Sequence, residues 1–63
     1  MGHKENKITF KMIYIDFKKR YPRLAKMVIH WQPHSYATIY VKLKNGMELT
    51  YDIDTERATI LSI

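Results

Sequence analysis

Two stretches of strict alternation, joined across an Asn-Gly pair, constrain this chain more than any other feature. From Tyr36 to Lys44, Ala37, Ile39, Val41 and Leu43 fall on one face and Tyr36, Thr38, Tyr40, Lys42 and Lys44 on the other. From Met47 to Ile53, Met47, Leu49, Tyr51 and Ile53 alternate with Glu48, Thr50 and Asp52. A period of two is the pattern of a half-buried strand, and Lys44-Asn45-Gly46 between the runs signals a hairpin. Parity selects the loop. A two-residue turn would set Lys42 opposite Leu49 and mix the two faces. A three-residue loop with Gly46 left-handed pairs Leu43 with Met47, Val41 with Leu49, Ile39 with Tyr51 and Ala37 with Ile53. It also sets Lys42 against Glu48 and Tyr40 against Thr50, pairs that favour the sheet by about 0.2–1 kcal/mol each.

Residues 8 to 21 fit two templates. Phe10, Ile13, Tyr14, Phe17 and Tyr21 form one helical stripe, while the β-branched and aromatic content of 8–15 also suits a strand. The stripe persists over three turns and Thr9 can cap it, so a helix is expected. It stops at Pro22, with Lys18, Lys19 and Arg20 in the last turn, where cations meet the negative end of the dipole. Pro22–Lys26 reads as a short second helical turn carrying Leu24. Met27 to Gln32 reads as a strand burying Ile29 and Trp31, with a turn at Pro33-His34-Ser35. Arg57 to Ile63 is a candidate fourth strand.

The expected fold is therefore α+β, with one N-terminal helix packed on a three- to four-stranded antiparallel β-meander in two layers. Residues 1–7 are polar and expected to be disordered, and 8–63 form a single small domain. With 63 residues the core is small. No cysteine is present to staple it. No apolar run approaches the roughly 20 residues of a membrane span, no signal peptide is visible, and no membrane partner is expected.

Charge is uneven along the chain. Residues 1–26 hold eight Lys or Arg against two acids, and 27–63 hold three against four. This asymmetry points to a polyanionic partner, nucleic acid or an acidic protein surface; the alternative is a solvated, soluble face. The candidate nucleic-acid residues are Lys11, Lys18, Lys19, Arg20, Arg23 and Lys26 on the helical segment. Tyr40 and Lys42 join them from an open sheet face that also carries His30, Tyr36 and Thr38. Ile8, Met12 and Ile15 lie opposite the main helical stripe. Either they belong to a frayed first turn, or they form a self-association surface and the chain is a homodimer.

Chemistry beyond binding is not indicated. His30 and His34 lack the spacing and acidic company of a metal site, so no metal is expected. No nucleophile, base and orienter can be assembled, and no glycine-rich phosphate loop exists, so neither enzymatic activity nor a cofactor is expected.

The words Asp16-Phe17-Lys18-Lys19-Arg20-Tyr21-Pro22, Thr38-Ile39-Tyr40-Val41-Lys42-Leu43-Lys44-Asn45-Gly46 and Tyr51-Asp52 resemble small accessory proteins of unknown function encoded by phages and conjugative transposons of low-GC Gram-positive bacteria. The similarity spans roughly residues 9 to 61, and its motifs are structural. It implies a cytoplasmic protein of a mobile element with a DNA-related or regulatory binding role, and carries over no active residue.

Overall fold

A computed structural model describes residues 8–62. The expectation of disorder for residues 1–7 lies outside the described residues. In chain order the elements are α1 (Phe10–Arg20), α2 (Pro22–Ala25), β1 (Val28–Ser35), β2 (Thr38–Leu43), β3 (Glu48–Asp52) and β4 (Arg57–Ser62). The strands form one antiparallel sheet in the order β1-β2-β3-β4, an α+β meander with α1 on one face. α1 packs mainly on β1, β2 and β3, and β4 lies at its margin.

Helix, not strand, wins at residues 10–20 because its start, stop and buried face agree. The Thr9 hydroxyl accepts the Met12 N–H at 3.2 Å, satisfying one orphan donor of the first turn. Tyr21, held out of the helical region before Pro22, ends α1 at φ −127° and ψ 65°. Ile13 and Phe17 are fully buried on the sheet, and Tyr14, Tyr21 and Leu24 pack around them. Phe10 departs from the expected stripe. It opens the helix a full turn before Ile13, and at the end of the element its ring stays 39% exposed.

The β2–β3 hairpin has the three-residue loop that parity demands. The Leu43 N–H donates to the Met47 carbonyl at 2.9 Å, and Gly46 sits at φ +93°. Ile39 pairs with Tyr51, Val41 with Leu49 and Lys42 with Glu48. Ile39, Val41, Leu43, Leu49 and Tyr51 complete the core beneath Ile13 and Phe17. Burying seven large side chains supplies the main driving force, at about 1.5–3 kcal/mol each before the entropy cost of ordering the chain.

β1 differs from expectation in two places. The register slips between Val28 and His30, so Val28 and Trp31 face the core while Ile29 is 60% exposed rather than buried. One extra residue in a strand reverses the inward and outward parity that follows it. Nor is Pro33-His34-Ser35 the turn. β1 continues through Ser35, and Tyr36-Ala37 makes the reversal, with Ala37 at φ 60°. Pro33 is tolerated because β1 is an edge strand whose outer N–H positions need no partner.

Candidate nucleic-acid interface

The carboxylates near α1 are already engaged. Asp16 accepts a hydrogen bond from the Tyr51 hydroxyl and lies 3.4 Å from Arg20 Nε. The Arg20 guanidinium also reaches Glu56 at 2.6 Å. Burial pulls Arg20 down, and the carboxylates of Glu56 and Asp16 more than restore it, so its affinity for its proton is raised. Burial, and then the hydrogen bond to Asp16, push the Tyr51 phenol well above its ordinary range. Arg20, a sequence candidate for phosphate contact, is thus tied into a network joining α1 to β3 and the β3–β4 turn.

The other cations of the helical layer have no such partners. Lys11, Lys18, Lys19, Arg23 and Lys26 are exposed and form no ion pair among the described residues. Lys11 and Lys18, seven residues apart on α1, share one flank of the helix. Lys18 Nζ stands 4.8 Å from the centre of the Tyr14 ring, and that ring stacks on Trp31 at 4.7 Å and 12°. Cation and stacked rings brace this flank against β1. Lys19 sits in the last turn of α1, Arg23 is on α2, and Lys26 caps α2.

The main chain at Lys44 is tied to the segment after α2 through tertiary structure. The Lys44 N–H donates to the Met27 carbonyl at 2.8 Å, which draws the hairpin loop beside the end of α2. Local alternation assigns Lys44 to the open sheet face and gives no hint of this neighbour. Only the pairing of Val28 with Leu43 brings residues 27 and 44 together.

Tyr40 and Lys42 are not part of the same surface. They alternate with buried Ile39, Val41 and Leu43, which face α1, so they point to the opposite side of the sheet. There Lys42 lies 3.9 Å from Glu48, and Asp52 stands in register with Arg57. Desolvation, followed by the Glu48 carboxylate, raises the Tyr40 phenol. His30 and Tyr40 have ring centres 6.4 Å apart, and His30 Nε2 is 2.9 Å from Gln32 Oε1. This face is polar with its charges balanced, which gives phosphate no net attraction.

Ile8, Met12 and Ile15 are 50%, 48% and 41% exposed. Met12 and Ile15 line a shallow groove with Asp16, Lys19 and Ile53, on the flank of α1 that faces the β3–β4 turn. Among the described residues no group of three or more His, Cys, Asp or Glu could hold a metal ion. Among the same residues no helix is long and apolar enough to cross a membrane.

No protein-family model, curated protein or solved structure matches this chain.

Proposed function

We propose that the chain is a small, non-enzymatic binding module whose ligand is nucleic acid, held non-specifically by the cations of its helical layer. One observation carries this reading: Lys11, Lys18, Lys19, Arg23 and Lys26 are exposed without acidic partners among the described residues, while Asp16 and Glu56 are taken up by Arg20. Phosphates need only a row of accessible cations, and releasing condensed counterions drives the association. Contacts of this kind go to phosphate and carry no sequence information, so affinity without sequence selection is expected. The resemblance to accessory proteins of mobile elements agrees with a cytoplasmic role close to DNA.

The test is fluorescence anisotropy of labelled mixed-sequence DNA, single- and double-stranded, at about 50 and 200 mM salt, a range over which several phosphate contacts lose orders of magnitude in affinity. Binding at low salt that collapses at high salt supports the reading. Absence of binding at low salt rejects it and reduces the charge to a solubility device.

A protein-interaction or self-association role is the second reading, favoured by the exposure of Ile8, Met12 and Ile15, the last two on the flank of α1 that faces the β3–β4 turn.

A further inference from the structure

The two edges of the sheet are built differently. β1 carries Pro33 and slips register in two places, both of which obstruct pairing with another strand. β4 carries no proline, and residues 58–62 (Ala-Thr-Ile-Leu-Ser) hold no charge. β4 slips register once, beyond Ile60, where Leu61 is the extra residue, but Arg57–Ile60 pairs regularly with β3, and a regular strand edge without proline is a template for a further strand. Its apolar side chains are also uncovered: Ile60 and Leu61 are each 53% exposed. Ile60 stands in register with buried Leu49, so it lies on the helix side of the sheet, where α1 stops short.

We propose that β4 pairs antiparallel with β4 of a second copy of this chain, making one continuous eight-stranded sheet. Two features select a second copy. The first is charge. A chain of net charge +5 can approach itself closely only along an uncharged seam, and 58–62 is such a seam. Antiparallel pairing also sends the two Arg57 side chains to opposite ends of the contact.

The second is register. Two edge strands related by a two-fold axis must have that axis perpendicular to the sheet, which keeps both helices on one face. Side-chain parity then requires like-facing residues to meet. Centring the axis on Thr59 satisfies this. Thr59 meets the partner's Thr59 on the open face, and Ala58 meets the partner's Ile60 on the helix face, twice over. Threonine pairs and apolar pairs are both favourable across strands. The α1 flank bearing Met12, Ile15, Asp16 and Lys19, with Ile53 below it, then lies on the seam side of each copy, above the uncharged strand contact.

The experiment is light scattering on the full chain over a concentration series, with Ile60→Lys and Ile15→Asp beside the wild type. The wild type should reach twice its 7.6 kDa mass. Because the seam is uncharged, the dimer should persist at high salt. Ile60→Lys should stay monomeric with an unchanged circular dichroism spectrum, and the backbone amides of 58–60 should gain hydrogen-exchange protection with concentration in the wild type only. A wild type that is monomeric at every concentration overturns the proposal. So does an Ile60→Lys variant that dimerises as well as the wild type. Dispersal by Ile15→Asp with Ile60→Lys still dimeric would assign the contact to α1 instead and overturn the β4 seam.

Discussion

The Tyr51 hydroxyl donates a hydrogen bond to the Asp16 carboxylate across 35 positions of sequence. It joins the largest buried side chain of the sheet to the helix above it. Around it, Tyr51 meets Phe17 and Tyr21 edge to face at 5.6 and 6.0 Å. The same carboxylate orients Arg20 toward Glu56. One acid therefore removes one cation from the basic layer and fixes the helix on the sheet.

Replacing Tyr51 by Phe keeps the ring packing and removes the hydrogen bond. The expected cost is about 1–2 kcal/mol, the range for a bond to a charged acceptor that stays partly solvated. Urea unfolding measures it as a lower midpoint at unchanged slope.

The same pair sets an alkaline limit on stability. The folded phenol holds its proton more tightly than the unfolded one, whose pKa is about 10. Below that pH both forms are protonated and the contribution is complete. Above it the unfolded chain ionises first, and stability falls by about 1.4 kcal/mol per pH unit from this group. The advantage of the wild type over Tyr51→Phe should be constant near neutral pH and shrink beyond about pH 10. An advantage that grows there would contradict the assignment.

Arg20 and its neighbouring cations should separate cleanly. Arg20→Gln breaks the link to Asp16 and Glu56, so thermal unfolding should show only a small loss, as expected for solvent-screened pairs. DNA affinity should change little, because the guanidinium is already engaged. Lys19→Gln with Arg23→Gln should do the reverse, leaving the melting temperature in place and weakening binding at low salt.

Gly46→Ala tests the hairpin loop. No heavy atom lies within 4 Å of the added methyl, so only the positive φ resists it. A loss of about 1 kcal/mol is expected, from backbone conformation alone. A much larger loss would mean that the loop makes contacts the geometry does not contain.

Phe17→Ala removes a fully buried ring between Tyr21 and Tyr51. Core truncations of this kind cost about 3–5 kcal/mol. A chain of this length has roughly 3–9 kcal/mol in total. The variant should be largely unfolded at 37 °C by circular dichroism.

Where local chemistry repeats, the fold was legible. The β2–β3 hairpin followed from alternation and parity, because a slip of one residue would turn every apolar side chain outward. The limits of α1 followed from Thr9 and Pro22. β1 was not legible, because the register slip after Val28 exposes Ile29 and leaves no mark in composition. Pro33 looked like a turn signal, since sequence does not tell an edge strand from an inner one. The basic surface was legible as a list of residues. Its membership was not: Arg20 left it through Asp16 and Glu56. Tyr40 and Lys42 fell on the far side of the sheet. All of these are long-range relationships, which spacing along the chain does not encode.

The most direct test of the central claim is the salt dependence of duplex DNA binding, compared between the wild type and a variant with Lys18, Lys19, Arg23 and Lys26 changed to Gln. Each phosphate contact on duplex DNA contributes about 0.9 to the slope of log affinity against log salt. A steep wild-type slope should fall by roughly 3–4 in the variant, with both proteins equally folded. Equal slopes for the two proteins would contradict it and move any nucleic-acid contact away from the helical layer.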